Sequence, residues 1–233
     1  MKNTKLAVIL PHYNYEEYIL ETLNCVKSQT FNDFTLYIVN DASTDNSIVI
    51  IKKFIKENPQ LDIQLLEHEK NQFIGAALNT GHREVLKNDH KYISWITSDN
   101  IYLPDCFEVM VNEIEKENKD YMYSSYYNLF PDGRSVLAPS EPYSEKVFIT
   151  KRWSQGMCFI YKKEVYELVG EYMEGVSHVQ DYDYCVRLEL NNVNIGYISQ
   201  PLGMCRCHSR RRSYLFNSEI ENQRKELYKK YKI

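Results

Sequence analysis

Tyr92-Ile93-Ser94-Trp95-Ile96-Thr97-Ser98-Asp99-Asn100 is the stretch whose reading decides the fold. A run of apolar, β-branched and aromatic residues stops in four small polar ones. Pro104-Asp105 then introduces an apolar-periodic segment through Phe107, Val109, Met110 and Ile114. This predicts a buried strand, a polar turn and a helix with Pro near its first turn. One acid, flanked by Ser and Asn, lies at the carboxyl end of the strand, where open α/β sheets collect their ligands. A carboxylate there can hold a hard divalent cation, which would neutralise a diphosphate. Taken alone, Asp99 and Asn100 could equally form a turn or cap, so the rest of the chain must decide.

Toward the N-terminus the same pattern repeats. Leu6-Ala7-Val8-Ile9-Leu10 is a continuous apolar run, the mark of a strand covered on both faces, and it stops at Pro11-His12-Tyr13-Asn14. Ile19, Leu23 and Val26 follow at helical spacing behind Glu16 and Glu17. Phe34–Val39 is a second strand, closed by Asn40-Asp41-Ala42-Ser43-Thr44-Asp45, and a helix runs from Asn46 to Glu57. Ile63–Leu66 is a third strand; a loop through Asn71 leads to a helix carrying Ala76, Ala77, Leu78 and Val85. Strands alternating with helices predict a parallel sheet with covering helices. His12 and Asn14 follow the first strand, Asp41 the second and Asp99 the fourth, so one edge of the sheet is expected to carry a shared site.

Beyond the Pro104 helix the pattern changes. Asp120–Phe130 is a Tyr-rich strand, and Pro131-Asp132-Gly133-Arg134 is a hairpin turn. Residues 138–150, with Pro139 and Pro142, read as a loop, and Gly156–Tyr161 as a strand. Lys163–Val169 is helical and ends at Gly170, Gln180–Leu190 is helical again, Val193–Ile198 is a short strand, and Glu219–Tyr231 is a charged helix. No repeat, low-complexity segment or linker interrupts the chain, so a single domain is expected over 1–233.

The 233 residues suffice for a full core, and 43% hydrophobic with 26% charged residues is ordinary for a globular protein. A net charge of -4 gives no basic field for nucleic acid. Tyrosine, with 20 copies, suits half-wet grooves and interfaces, though a biased genome would enrich it too. The apolar run before His12 is too short for a signal peptide, and no window approaches a membrane span. Six cysteines without a framework of spacings suit reduced thiols, and a cytoplasmic location is expected.

Gly-rich phosphate loops of the G-x-x-x-x-G-K-[ST] and G-x-G-x-x-G kinds are absent. What remains is acids at strand ends, a second acid pair at Asp181 and Asp183, and a late polar patch at His208. A metal-holding acid, a general base and an imidazole near a phosphate suit transfer from an activated diphosphate donor. At this point a resemblance enters. Val8-Ile9-Leu10-Pro11-His12-Tyr13-Asn14, Ser28-Gln29-Thr30, Ile38-Val39-Asn40-Asp41-Ala42-Ser43-Thr44-Asp45 and Asn79-Thr80-Gly81 resemble the family 2 inverting glycosyltransferases of GT-A fold. Ile96–Asp105 is similar to that family's metal-binding acid motif, and His178–Arg187 to its catalytic helix. Arg206-x-His208 and Ser213 resemble the late segment that closes over the diphosphate, so the match runs from about residue 5 to 213.

The resemblance implies an α/β, GT-A type fold with a Rossmann-like, mainly parallel central sheet and helices on both faces. Residues 1–104 would be the nucleotide-sugar-binding half, 105–215 the acceptor-binding and catalytic half, and 216–233 a C-terminal helix. It implies an inverting hexosyl transfer from a UDP-, GDP- or dTDP-sugar to a glycan or lipid-linked acceptor, in polysaccharide or glycoconjugate synthesis. Pro11, Tyr13, Asn14, Asp41, Asn71, Ser98 and Arg211 would bind the nucleotide sugar. Asp41 would accept from the base. Asp99 and His208 would hold Mn²⁺ or Mg²⁺, and Asp181 would be the general base, with Asp183 the alternative. The Arg210–Arg212 run would neutralise diphosphate or touch anionic lipid at the inner face of a membrane, or simply be a solvated face.

Two departures bear on this. Where the family commonly has a second acid in the metal motif, this chain has Ser98, or Thr97 by another alignment, and Gln180 replaces a usual Glu before the base. Weakened metal binding is therefore expected, and a non-catalytic nucleotide-sugar or glycan-binding relative stays as the alternative. A nucleotidyltransferase would need a Gly- and Arg-rich phosphate loop, which Leu10–Asn14 lacks. Plain structural readings also stand: Asp41 as a turn residue, Asp181 as a helix cap and His208 as an exposed loop histidine. Trp95 is expected in the core, and Trp153 in the core or stacked on an acceptor sugar.

Overall fold

The computed structural model describes residues 4–139, 142–150, 156–175, 179–209 and 217–233. Strands β1 (Leu6–His12), β2 (Phe34–Asn40), β3 (Ile63–Glu67) and β4 (Tyr92–Trp95) pair in parallel in the order β3-β2-β1-β4. β1 and β2 are buried along their whole length, as their unbroken apolar runs require, while β3 at the sheet edge is only half-buried. The connecting helices are α1 (Glu16–Lys27), α2 (Ser47–Glu57) and α3 (Phe73–Val85). Alternate residues of β1 enter two cores. Leu6, Val8 and Leu10 pack with α1 and α2, and Ala7 and Ile9 with α3, so helices cover both faces.

The second half extends the sheet with β5 (Ile101–Tyr102), β6 (Tyr121–Leu129), β7 (Ser135–Leu137), β8 (Phe159–Lys162) and β9 (Ile195–Arg206). Its helices are α4 (Cys106–Lys116), α5 (Val147–Thr150), α6 (Lys163–Val169), α7 (Gln180–Leu190) and α8 (Asn217–Tyr231). Among the described residues the full order is β3-β2-β1-β4-β8-β6-β9-β5, with β7 on β6. β8 runs antiparallel to β4 and β6, so the sheet is parallel in its first half and mixed as a whole.

Three boundaries differ from the sequence reading, each through a distant partner. β1 continues past Leu10 to His12, because β2 pairs through Pro11↔Val39 and His12↔Asn40 while β4 pairs only as far as Ile9. Pro11 thus sits where its missing N–H is not needed on the β4 side. The same shortfall parts β1 from β4 at their carboxyl ends. β9 runs to Arg206 instead of Ile198, because register shifts on β6 accommodate Pro201 opposite Ser125 and pairing resumes at Tyr127↔Met204. Residues 147–150, expected as loop, form α5, whose Phe148 and Ile149 N–H groups donate to the Glu189 carboxylate, each at 3.0 Å.

Half of the 20 tyrosines lie buried in the core among the described residues, while Tyr13, Tyr15 and Tyr126 line the cleft. Tyr37, Tyr92, Tyr102, Tyr121, Tyr123, Tyr161, Tyr182 and Tyr184 are all fully buried. Trp95 Nε1 donates to the Tyr172 hydroxyl (2.9 Å), Tyr172 bonds Tyr161, and Tyr161 meets His82 Nε2 at 2.6 Å. His82 Nδ1 donates to the Leu78 carbonyl at 2.7 Å, which leaves Nε2 as the acceptor of a neutral ring.

Burial pushes His82 down to about 3 from 6.5, and His12 down to about 4, opposed for His12 by Asp45 and for His82 by the Leu78 hydrogen bond. Both folded pKa values lie below the unfolded one, so between about pH 6.5 and pH 4 the unfolded chain binds more protons and stability falls with falling pH. The expected slope is about 1.4 kcal/mol per pH unit for each of these histidines once the unfolded rings are protonated. Urea midpoints between pH 6.5 and 5, above most carboxylate titration, should show it, and His82→Gln should reduce the slope by about one proton.

Candidate active site

The carboxyl ends of β1, β2 and β4 open into a cleft of about 350 Å³, at the point where the strand order reverses between β1 and β4. Pro11, Tyr13, Asp41, Asn71, Ser98, Asp99 and Asp181 line it. Asn14 does not: its Oδ1 accepts from Thr44 N (2.7 Å), its Nδ2 donates to Thr44 Oγ1 (3.2 Å), and its backbone sits at φ 53°. Asp45 Oδ2 accepts from Glu16 N (3.0 Å), and Glu16 Oε2 accepts from Asn46 N (2.6 Å). These reciprocal bonds tie the first two strand-to-helix turns together beneath the cleft.

Asp41 is 3% exposed, and its carboxylate is held from two sides. Oδ1 accepts from Gln72 N at 2.9 Å and meets His68 Nδ1 at 2.7 Å, while His68 Nε2 bonds Thr80 Oγ1 at 2.9 Å. Asn71 Nδ2 donates to the Asp41 carbonyl at 3.4 Å. His68 was missed in the sequence reading. The rule that found His12, Asp41 and Asp99, a polar side chain just past a parallel strand, points to it after β3.

Asp99 sits in a turn fixed by its neighbours. Asn100 Nδ2 donates to Thr97 Oγ1 (2.6 Å), Asn100 Oδ1 accepts from Arg206 N (3.0 Å), and Arg206 Nε donates to the Asp99 carbonyl (3.1 Å). The Thr97 hydroxyl, in the region of the missing second acid, is thus engaged inside the turn. His208 Nε2 lies 3.3 Å from Asp99 Oδ2, with the ring against Tyr15 and Tyr18. Arg206 stacks on Tyr18 at 4.9 Å and pairs with Glu21 at 2.5 Å. β9 ends in Arg206 here and leads straight on to His208, because Ile101↔Met204 pairs it with the strand just after Asp99.

The two acids of α7 part company. Asp183 is fully buried, bonded to Arg187 (Nε 2.8 Å, Nη2 2.7 Å) and to the Tyr231 hydroxyl of α8 (2.6 Å). Asp181 is half-buried and faces the cleft, with Oδ1 accepting from Tyr182 N at 2.7 Å. Gln180 also lines the cleft, and its buried Oε1 has no partner among the described residues.

The glycosyl transferase family 2 model matches residues 7–181, which spans β1 through the start of α7 and takes in each of these acids except Asp183. This chain belongs to glycosyl transferase family 2. An uncharacterized glycosyltransferase of Rickettsia felis is 29% identical over 192 residues, covering 76% of this chain and 30% of its own length. The chain therefore spans less than a third of that relative. Among solved structures, S. aureus TarS 1-349 in complex with UDP-GlcNAc has a TM-score of 0.72 at 21% identity, covering 88% of this chain and 59% of that one. The mannosyltransferase PcManGT of Pyrobaculum calidifontis, in complex with GDP-Man and Mn²⁺, has a TM-score of 0.71 at 16% identity, covering 92% of this chain and 60% of that one. The fold is thus α/β of GT-A type.

The donor set fits a divalent cation held by few protein ligands. Asp99 and His208 supply a carboxylate and an imidazole, and the described residues contain no cluster of three or more ligating side chains. Mg²⁺ and Mn²⁺ commonly complete such a shell with phosphate oxygens and water. His208 Nδ1 is buried without a partner among the described residues, so the second nitrogen does not fix the ring's tautomer. Arg211, Trp153, His178 and Ser213 lie outside the described residues. Among the described residues no helix is long and apolar enough to cross a membrane.

The α7 geometry separates structure from chemistry. Asp183→Ala leaves Arg187 facing a buried void and should lower unfolding stability by about 3–5 kcal/mol. Asp181→Asn should leave the urea midpoint nearly unchanged. The opposite order in the same titration would give Asp181 the structural role.

Proposed function

We propose that this chain transfers a sugar from a nucleotide-diphosphate sugar to a hydroxyl of a glycan or lipid-linked acceptor, with inversion at the anomeric carbon. The observation that carries the reading is convergence: Asp41, Asp99 and Asp181, from three separate elements, line one cleft at the switch point of the sheet. In this reading residues 1–104 hold the donor, 105–215 present the acceptor and 216–233 brace the catalytic helix.

The roles follow from position. Asp41, with Oδ1 held by Gln72 N and His68, keeps Oδ2 for an N–H of the base, a donor that uracil, thymine and guanine all provide. Pro11 and Tyr13 wall that end of the cleft, and Asn71 and Ser98 offer hydrogen bonds along it. Asp99 and His208 would hold Mn²⁺ or Mg²⁺, which when bound supplies positive charge to the departing diphosphate. Asp181 takes the proton of the acceptor hydroxyl as its oxygen bonds to the anomeric carbon and the bond to the diphosphate oxygen breaks. Attack opposite the leaving group inverts the centre. UDP-GlcNAc and GDP-Man in the two structural neighbours support a nucleotide-sugar donor, and the Mn²⁺ of one supports a divalent cation.

One observation favours a second reading, a relative that binds donor without turnover: hydroxyls stand at Thr97 and Ser98 where a second metal-binding acid is common, and Thr97 is bonded to Asn100. Hydrolysis and transfer across UDP-, GDP- and dTDP-sugars, with and without Mn²⁺ and with a mixed glycan acceptor pool, decides between them. Turnover of one donor is expected only with the cation, with the product of opposite anomeric configuration by NMR. Asp181→Ala should bind the donor and lose turnover by about 10²–10⁴-fold. Asp99→Ala should lose metal-dependent binding. Donor binding with no transfer under any of these conditions would establish the second reading.

A further inference from the structure

Phe73 is the anomaly of the cleft. It opens α3 with φ +68°, in the left-handed region that bulky side chains avoid. That backbone state costs about 1–3 kcal/mol and persists only where its surroundings impose it. Here they do. Gln72 N is bound to Asp41 Oδ1, Asn71 Nδ2 to the Asp41 carbonyl, and Phe73 N to Asn71 Oδ1 at 3.3 Å. Asn71 and Gln72 are thus both drawn to Asp41, Phe73 N is tied back to Asn71, and the turn into α3 is forced through Phe73. Glycine would take the turn without strain. Burial does not account for a phenylalanine, since the residue is 44% exposed and lines the same cleft as Tyr13 and Asp41.

We propose that the Phe73 ring is a stacking platform for the planar base of the bound nucleotide, beside the Asp41 carboxylate that holds the base by its edge. This rests on the donor-binding reading above and adds a residue to it. The division of labour is physical. A carboxylate admits only bases with an N–H at that edge, whereas a ring face grips any base, because every base has a π-face. Asp41 then selects the base and Phe73 supplies affinity without selecting. The strained backbone aims the ring and is retained for that purpose.

The test is calorimetric binding of UDP and GDP, with Mn²⁺ present, to wild type and to Phe73→Tyr, Phe73→Leu, Phe73→Ala and Phe73→Gly, alongside pyrophosphate as the ligand with no base. Phe73→Tyr should bind both nucleotides as wild type does. Phe73→Leu, which keeps apolar bulk without a π-face, and the Ala and Gly variants should bind both about 5- to 150-fold more weakly. Pyrophosphate affinity should stay unchanged throughout. Phe73→Gly should also melt about 2–4 °C above Phe73→Ala, because only the β-carbon and its strain separate them. Nucleotide affinity preserved in Phe73→Leu or Phe73→Gly overturns the proposal while leaving the donor-binding reading intact. So does a loss seen only with nucleotide sugars and not with UDP or GDP, which would put the ring on the sugar. Failure of the wild type to bind any of UDP, GDP and dTDP overturns both.

Discussion

The site depends on one strand held by two partners. β9 runs parallel to β6 along most of its length, and at its far end pairs antiparallel with β5, the two-residue strand that follows the Asp99 turn. This double pairing brings Arg206 and His208 across more than 100 residues of chain to the Asp99 carboxylate and carbonyl. The register shifts on β6 are what let β9 reach that far, since Pro201 interrupts the ladder midway. The shifts add three residues of β9 relative to β6, so an unshifted ladder would turn every side chain at the end of β9 to the opposite face. Neither half of the sheet contains the Asp99 end of the cleft by itself.

The other wall is set by a clasp on α3. Asn79, fully buried, donates to the Tyr172 carbonyl (3.0 Å) and to Glu174 (2.9 Å), and accepts from Tyr172 N (2.8 Å). Gly75 closes the fit: a β-carbon there would stand 2.0 Å from the Met173 carbonyl oxygen. Arg187 joins in by donating to the carbonyls of Val169 (2.7 Å) and Glu171 (2.9 Å), while its guanidinium neutralises buried Asp183. α8 completes the bracket through Tyr231 on Asp183 and through Ile220 and Leu227 packed on Val179, Tyr182 and Val186. A buried carboxylate is tolerable only with such pairing, because an uncompensated charge in the interior costs several kcal/mol. The helix that offers Asp181 to the cleft is therefore anchored on its opposite face by Asp183. Two acids a fraction of a turn apart meet unrelated surroundings because one points into protein and the other toward the opening.

How far the site was legible follows from the same geometry. Asp41 and Asp99 could be found because each ends a long apolar run, and a polar residue after such a run needs no tertiary knowledge to be noticed. His68 obeys that rule but follows β3, a half-buried edge strand with a fainter apolar signal. Asn14 looked like a ligand-binding residue by its place after β1, yet its amide bridges two turns. Phe73 carried no sequence signal at all, since its positive φ is imposed by hydrogen bonds of its neighbours Asn71 and Gln72 to Asp41, some 30 positions earlier.

What the chain's own sequence determined was the parallel half: the strands from Leu6 to Trp95, their helices, and the acids at their ends. Those features rest on periodicity and on the burial of contiguous apolar residues, which are local properties. The tertiary structure alone decided the length of β9, the short helix held by Glu189, the opposite orientations of Asp181 and Asp183, and the joining of His208 to Asp99. Each of these turns on a hydrogen bond or ion pair between residues far apart in the chain. Such a bond exists only once packing has removed water from its partners, and no pattern of neighbours records it.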